Sequence, residues 1–464
     1  MYASTPEAYK AYAATFVGWG GARTAEAVKM HHDLGIRCTG TIWCLTAGAE
    51  LIHKDAELRQ ATVLDIEGKP VAVPWLFDHV YKDTPSYFGC TNSPAFRKLN
   101  RDQVREAMAG GADGLHIDDP RGVATPALMF GGGFCDHCMA GFRDYLRRHA
   151  EPEQLRDAGV TDPGGFDYRD LVRKHAATRR EYLEAQKRIP LMDLFLKFHA
   201  QAAAENVREI IEVAREAAGH PILVSVNAFG MEETFLPILR LDAVTHVICE
   251  VAQGAKQGTS LLGKAIEAYD QATRLGKPIA ATGSGHDWAY VKAHDVVNLV
   301  KIWIALAYAH GQRFMVPHPS RQWCFTEEMG THWYAAPVGE YAPIYRFIRE
   351  HAERFDGYAG VERAGVRSPE GVICTVRTRP GAAAVVHAVN TRYTLKSERG
   401  GPADRITPAR DVTVALPADV ARGAAQATLL SCDGEPRTVP LRAEASDVSF
   451  VIPELRVWTL CVLQ

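Results

Sequence analysis

Two acidic residues stand at the ends of short runs that alternate in polarity. In the run from Gly114 to Asp118, a strand period of two places His116 and Asp118 on one face and the apolar Leu115 and Ile117 on the other. The apolar pair suits a face covered by helices. We therefore expect Asp118 to end a strand with its carboxylate on the polar face.

Two later runs repeat the pattern. The same period places His246 with Glu250, and Ser225 with Asn227. In a barrel of parallel strands, reactive residues come from the C-terminal ends of the strands, so these polar side chains are expected at one mouth. Asp118 and Glu250 are the predicted catalytic carboxylates.

A pair of carboxylates from two strands is what cleavage of a glycosidic bond requires. One acid protonates the leaving oxygen, while the other attacks the anomeric carbon or activates water. A short Asp as nucleophile and a Glu of raised pKa as acid/base would separate the two roles. The alternative is structural: Asp118 or Asp119 could cap the turn before Pro120, and Glu250 could pair with a basic residue.

Aromatic and polar side chains at other predicted strand ends favour a carbohydrate ligand, since indole faces stack on sugar rings and polar neighbours take the hydroxyls. A core role for each tryptophan is the alternative. Glu327 and Glu328, in the loop 317–334, are rival catalytic acids. The predicted substrate-binding residues are Trp19, Trp43, Asp119, Asn227, His286, His318, Arg321 and Trp323.

Ten cysteines are scattered along the chain, and most suit buried free thiols. The exception is the CxxC pair Cys135 and Cys138, which could hold a structural zinc ion with Cys90 or His137, or could form a local redox pair. We predict no cofactor, and the zinc site at Cys90, Cys135 and Cys138 stays open as a possibility.

Eight strand-like runs alternate with amphipathic helical stretches up to about residue 355, which predicts a (β/α)8 TIM barrel over residues 1–356. A long insertion is expected at about 121–190. The third run is the least distinct, and residues 87–91 compete with it as a strand. The predicted strands are 15–19, 38–44, 73–77, 114–118, 222–227, 244–250, 278–282 and 313–318.

After residue 356 the helical periodicity ends. Short alternating runs separated by Pro, Gly and Asp follow, which is typical of antiparallel strands. They predict a C-terminal β-sandwich domain over residues 357–464. The runs are 372–376, 383–389, 412–416, 427–430, 448–452 and 457–463.

Composition excludes several classes of partner. The 464 residues are 47% hydrophobic with a net charge of −3, which leaves no basic excess for nucleic acid. The longest apolar runs are far shorter than the roughly 20 residues of a membrane span. The expected partner is a carbohydrate substrate, and a homo-oligomer is possible. The N-terminus carries no visible signal peptide, so a full-length chain would be cytoplasmic.

Two segments resemble bacterial glycoside hydrolase barrels. The stretch CTNSPAFRKLNRDQVREAMAGGADGLHIDDP looks like a helix and fourth strand of such enzymes, and FCDHCMAGFRDYL looks like the Cys-rich segment that follows in family 42-like barrels. Family 42 carries Glu on its fourth and seventh strands, whereas this chain has Asp118 on the predicted fourth strand and Thr282, Gly283 and Ser284 on the seventh.

An Asp on the fourth strand with an acid on the sixth is more similar to α-galactosidase-like barrels and family 66 dextranases. That resemblance implies a retaining two-carboxylate glycosidase with Asp118 as nucleophile and Glu250 as acid/base, followed by a C-terminal β domain. Two other classes stay open: a metal-dependent barrel hydrolase that would use His116, His246, His286, His294 and His318, and a barrel that binds carbohydrate without cleaving it.

Overall fold

Short parallel strands rich in β-branched and apolar residues build the N-terminal sheet. The computed structural model describes residues 1–20, 22–230, 233–317, 324–326, 330–331, 334–361, 365–395, 404–444 and 446–464. Among these residues the sheet has seven strands, in the order β1 to β7 along the chain. They are β1 Phe16–Val17, β2 Arg37–Trp43, β3 Gly114–Asp118, β4 Leu223–Ala228, β5 His246–Val251, β6 Ile279–Gly283 and β7 Arg313–Phe314.

The prediction of a strand at 73–77 is wrong. Pro74–Leu76 forms a 3-10 helix, and residues around it make only isolated antiparallel bridges, such as Ala72 with Tyr87. Proline has no N–H for a strand ladder and its fixed φ suits the first position of a helical turn. The strand that carries Asp118 is therefore the third of the described sheet and not the fourth.

Helices follow the strands where the apolar positions recur at helical spacing. Thr24 and Ser284 cap two of them through their side-chain oxygens, and Gly219 and Gly276 end two others with positive φ. The helices are α1 Pro6–Ala11, α2 Ala25–Asp33, α3 Ala49–Lys54, α4 Ala56–Gln60, α5 Pro94–Ala109, α6 Ala124–Met129, α7 Asp136–His149, α8 Pro152–Asp157, α9 Tyr168–Arg173, α10 Arg179–Ala185, α11 Met192–Ala218, α12 Leu236–Leu239, α13 Leu262–Leu275, α14 Gly285–His294, α15 Val297–Ala309 and α16 Val338–Glu350. Further 3-10 turns are Gln186–Arg188, Ala255–Gln257 and Ala352–Arg354.

The remaining strands are antiparallel. Val386 and Cys461 from a six-stranded sheet pack with Val414 and Phe450 from a three-stranded sheet in one apolar core, which is the predicted sandwich arrangement. These elements are β8 Cys324–Thr326, β9 Gly330–Thr331, β10 Ala359–Gly360, β11 Val372–Thr378, β12 Val385–Asn390, β13 Tyr393–Thr394, β14 Arg405–Ile406, β15 Ala409–Pro417, α17 Ala418–Ala421, β16 Gln426–Ser431, β17 Gly434–Pro440, β18 Arg442–Glu444, β19 Asp447–Leu455 and β20 Trp458–Leu463. The six-stranded sheet has the order β10-β11-β12-β20-β16-β17, and the three-stranded sheet has the order β15-β19-β18.

By its internal contacts the chain divides into two compact units. One comprises Phe16–Ile248 and Trp323–Thr331, and the other comprises Met1–Thr15, Cys249–Gln322 and His332–Gln464. The first contains the strand of Asp118 and the inserted helices α6 to α10. The second contains Glu250 and the C-terminal sheets. This division does not test the domain boundary expected between residues 356 and 357, which stays a prediction. Among the described residues, no helix has the length and hydropathy of a membrane span.

Candidate active site

Asp118 ends β3 as a buried carboxylate, 6% exposed. The Asn227 side chain donates an N–H to Asp118 Oδ1 over 2.9 Å, and the backbone N–H of Asp119 donates to the same oxygen over 3.0 Å. Trp19 contributes a further side-chain hydrogen bond. Asn227 reaches Asp118 because β4 lies beside β3 in the parallel sheet, with Ile117 opposite Val226.

Burial raises the pKa of Asp118 to about 6, while the hydrogen bonds from Asn227, Asp119 and Trp19 act in the opposite direction. Such a group changes charge near neutral pH, which is where a catalytic acid, base or nucleophile is useful. The carboxylate form is held by N–H donors aimed at it.

A neutral histidine lies below this carboxylate on the same strand. His116 Nδ1 is 2.9 Å from Ser225 Oγ, and its ring centroid is 5.2 Å from that of Trp19. Burial, with a contribution from His246, lowers the pKa of His116 to about 3. The two predicted polar faces therefore meet across the strands, with His116 against Ser225 and Asp118 against Asn227. His116 adds no positive charge beside the carboxylate at neutral pH.

Asp119 takes a left-handed backbone conformation, with φ of +50°. Aspartate tolerates this region better than most residues, and here the conformation turns the Asp119 N–H toward Asp118. Arg121 follows in the same turn and is 2% exposed. Its guanidinium lies 4.3 Å from the ring centroid of Phe235 and 3.3 Å from Thr234 Oγ1.

Two exposed aromatic residues stand at the strand ends on either side of β3. Trp43 pairs in register with Asp118 and is 42% exposed, with the Arg23 guanidinium 4.8 Å from its ring centroid. Phe229 directly follows β4 and is 39% exposed. Trp43 was predicted to bind substrate, whereas Phe229 was not. Phe229 follows Asn227 by two residues, and this position at a predicted strand end was a signal in the sequence.

The other predicted ligand-binding residues are in varied positions. Trp19 is buried at 4% exposure, beside the His116 ring and hydrogen-bonded to Asp118, so it does not offer an open stacking surface. His286 is exposed near the start of α14. His318, Arg321 and Trp323, together with the rival acids Glu327 and Glu328, lie outside the described residues.

Glu250 lies in β5, half-buried between the buried Cys249 and Val251. The turn after it is fixed by Asp287, whose carboxylate accepts N–H groups from Gln253 over 2.9 Å and Ala255 over 2.8 Å. Ser284 Oγ also donates to Asp287 over 2.7 Å. Asp287 was not among the predicted site residues, and its role is to hold this turn in one conformation.

The three predicted zinc ligands lie together and are buried. The Sγ of Cys90 is 3.3 Å from that of Cys135 and 3.6 Å from that of Cys138, and the last two are 3.4 Å apart. Hydrogen bonds from Cys138 and Cys90 lower the pKa of Cys135 below its usual value. A tetrahedral zinc ion with Zn–S bonds of about 2.3 Å holds its sulfurs roughly 3.8 Å apart, so these thiols fit that metal. His137, the alternative ligand, is exposed.

No family model matches the chain. Over 282 residues the chain is 25% identical to an α-agarase from Alteromonas agarilytica. The aligned region covers 59% of this chain and 19% of that protein. The chain thus spans 19% of the length of the curated relatives it matches.

Solved structures share the architecture at low identity. A Paenibacillus sp. cycloisomaltooligosaccharide glucanotransferase in complex with cycloisomaltoheptaose aligns with a TM-score of 0.60 at 10% identity, covering 94% of this chain and 74% of that one. The α-amylase of Geobacillus thermoleovorans in complex with acarbose aligns with a TM-score of 0.54 at 8% identity, covering 99% and 90%. These matches confirm the predicted barrel with C-terminal β-sheets. Together with the α-agarase relatives, they bear out the resemblance to glycoside hydrolase barrels.

Proposed function

We propose that this protein is a glycoside hydrolase in which Asp118 is the catalytic nucleophile. The observation that carries the proposal is the carboxylate of Asp118 at the C-terminal end of a barrel strand, buried, of raised pKa and held by N–H donors. Exposed aromatic side chains on the two neighbouring strands add the stacking surfaces that a sugar ring requires.

In the proposed reaction, Asp118 attacks the anomeric carbon as the glycosidic C–O bond breaks. Glu250 donates its proton to the leaving oxygen, which gives an alcohol product and a glycosyl ester on Asp118. Glu250, now a carboxylate, takes a proton from water, and the hydroxide so formed displaces Asp118. The anomeric configuration is retained after the two displacements, and both carboxyl groups return to their starting states.

Asn227 has a positioning role in this mechanism. Its amide donates to Oδ1 of Asp118 over 2.9 Å and thereby holds the carboxylate plane and favours its charged form. The neutral His116 below places no positive charge that would weaken the nucleophile. Asp287 holds the turn that follows Glu250.

The proposed substrate is an α-linked polysaccharide of the agar type. The support is the α-agarase relative, together with the open aromatic surfaces of Trp43 and Phe229, which suit a chain of several sugar units. A polysaccharide places sugar units on both sides of the reacting bond, whereas an aryl glycoside places a sugar on one side only.

The metal-dependent hydrolase has less support. Among the described residues, two groups of potential ligands lie close enough to share an ion: Cys90 with Cys135 and Cys138, and His32 with Cys38 and Asp113. Neither group contains any of the five histidines that a metal-dependent hydrolase was expected to use. In the second group His32 Nε2 bonds Asp113 Oδ2 over 2.9 Å at the N-terminal ends of the strands, where barrel residues usually stabilise the fold.

The proposal is tested by the release of reducing sugar from agarose, starch, dextran and aryl α- and β-glycosides by wild type, Asp118→Asn and Glu250→Gln. Asp113→Asn is a matched control, because Asp113 directly precedes the same strand at its other end. We expect one substrate class to be cleaved, with a loss of at least about a thousandfold in both active-site variants and little change in the control. Full activity of Asp118→Asn would refute the proposal, and a folded wild type inactive on the whole panel would favour carbohydrate binding without cleavage.

A further inference from the structure

The fully buried His199 has no hydrogen-bond partner in the part of the chain that the structure describes. It lies on α11 at 1% exposure, and neither Nδ1 nor Nε2 is hydrogen-bonded there. Its ring packs against Phe195 and Phe198, with centroids 4.5 Å and 4.7 Å away. Burying an imidazole without a partner is costly, so such a group calls for an explanation.

The segment that leads to Cys135 packs against this histidine, since Phe134 stacks on Phe195 of the same helix, with ring centroids 5.5 Å apart. Gly133, two residues before Cys135, has φ of +100°, and a Cβ at that position would lie 2.9 Å from His199 Nε2. Glycine at position 133 therefore leaves the space that the nitrogen occupies.

We propose that Cys90, Cys135, Cys138 and His199 form a structural zinc site. Three thiolates and one imidazole are a common ligand set for zinc in proteins. The three Sγ atoms lie within 4.8 Å of one another, whereas the His199 nitrogens are not within that distance of all three. His199 would therefore complete the tetrahedron after its side chain rotates toward the thiols. Metal binding would thus satisfy a ring nitrogen that has no partner among the described residues.

Asn92 has a supporting role in this site. Its side-chain Nδ2 donates to Cys138 Sγ over 3.4 Å, which is an N–H to sulfur contact of the kind that surrounds zinc thiolates. The histidine is the better fourth ligand because its nitrogens are buried and have no other bond among the described residues, whereas the Asn92 amide already bonds a thiol.

The site would tie helix α7 to the turn that follows the candidate nucleophile. Cys135 directly precedes α7 and Cys138 lies in its first turn, while Cys90 begins the segment that leads to α5. In that segment Thr91 Oγ1 accepts the backbone N–H of Val123 over 3.3 Å, and Val123 follows the turn after Asp118. Zinc would therefore stabilise the base of this turn whether or not Asp118 is catalytic.

The test is the metal content and metal environment of the purified full chain. We expect one zinc ion per chain by elemental analysis, and X-ray absorption of the wild type should give three sulfur ligands at about 2.3 Å and one nitrogen at about 2.0 Å. Cys138→Ala should lose the ion, and His199→Ala should weaken zinc binding at least tenfold and alter the visible spectrum of the cobalt-substituted protein.

His387→Ala is the matched control, since His387 is also fully buried with both ring nitrogens lacking partners among the described residues, but lies in β12. It should leave the metal content and the cobalt spectrum unchanged. A wild type that binds no zinc when its thiols are reduced, or that forms a Cys135–Cys138 disulfide instead, would overturn the site. A wild-type zinc ion coordinated by three sulfurs and oxygen, without nitrogen, would overturn the role of His199. Unchanged metal binding in a folded His199→Ala variant would do the same.

Discussion

The side-chain amide of Asn227 donates a hydrogen bond to Asp118 Oδ1 over 2.9 Å, linking the ends of two adjacent barrel strands. This bond favours the charged carboxylate, whereas burial favours the protonated acid and raises the pKa of Asp118 to about 6. Among the hydrogen bonds that favour the charged form of the candidate nucleophile, the one from Asn227 acts most strongly.

Removing that amide should raise the pKa of Asp118 further. The proposed nucleophile acts as a carboxylate, so activity falls as the pH drops through its pKa. Asn227→Ala should move the acidic limb of kcat/KM upward by about one pH unit, which corresponds to the loss of one hydrogen bond to a charged group. Ser225→Ala is the control, because Ser225 lies on the same strand as Asn227 but its hydroxyl contacts His116. It should leave the acidic limb in place. A limb that does not move in Asn227→Ala would show that Asp118 is not the group titrating there.

Replacing Asp118 by a neutral residue should stabilise the protein at pH values above the pKa of Asp118. Because the folded-state pKa is raised from 3.8 to about 6, the native state holds a proton that the unfolded state has lost, and stability falls as the pH rises through this window. Asp118→Asn should gain up to about 3 kcal/mol in free energy of unfolding at pH 7.5 and close to none at pH 4.

Asp113→Asn gives the opposite sign in the same assay. Burial raises the pKa of Asp113, but the bonds from His32 and from the Cys38 N–H outweigh it and leave the pKa lowered. That variant should lose stability at pH 7.5. A chemical denaturation series at the two pH values measures both variants. A loss of stability in Asp118→Asn at pH 7.5 would contradict the raised pKa.

The exposed aromatic residues should act mainly on substrate binding. Trp43→Ala and Phe229→Ala each remove one stacking surface, and a loss of about 1.4 kcal/mol would raise KM for a polysaccharide about tenfold. The value of kcat should change little, and Trp43→Phe should recover most of the binding. Steady-state kinetics on the cleaved polysaccharide separate the two constants. A loss confined to kcat would mean that these rings act on the reacting atoms or on the fold.

Asp404 should stabilise the contact between the C-terminal sheets and helix α15. Its carboxylate accepts the backbone N–H of Asn298 over 2.8 Å at the start of the helix and the hydroxyl of Tyr393 over 2.7 Å. Asp404→Ala should cost about 1–3 kcal/mol in free energy of unfolding. Asp411→Ala is the control, since Asp411 also has a positive φ but is exposed. Equal losses in the two variants would assign the effect to backbone conformation alone.

Sequence patterns predicted the strands that have a buried apolar face. The strand ending at Asp118 was predicted with its bounds, because Leu115 and Ile117 alternate with polar residues and end at a turn. The false strand at 73–77 has a suitable apolar composition, but Pro74 begins a helical turn there. Strand β17, Gly434–Pro440, was missed because all but one of its residues are exposed, so it has no apolar alternation.

Site residues were predictable where chemistry follows from a strand end or a short motif. Asp118, Asn227 and the thiols Cys135 and Cys138 come from such signals. His199 was not predictable, because in a long amphipathic helix a histidine among apolar residues looks like a core residue. Its significance depends on the packing of α11 beside the Cys135 segment, which no local pattern encodes.

The product formed by Asp118→Ala in the presence of azide tests the central claim most directly. With an activated aryl glycoside of the cleaved sugar, azide can replace the missing carboxylate and attack the anomeric carbon. If Asp118 is the nucleophile, the variant should be nearly inactive alone and should form a glycosyl azide of inverted anomeric configuration. A glycosyl azide of retained configuration would instead make Asp118 the acid/base, and near wild-type hydrolysis without azide would exclude it from the reaction.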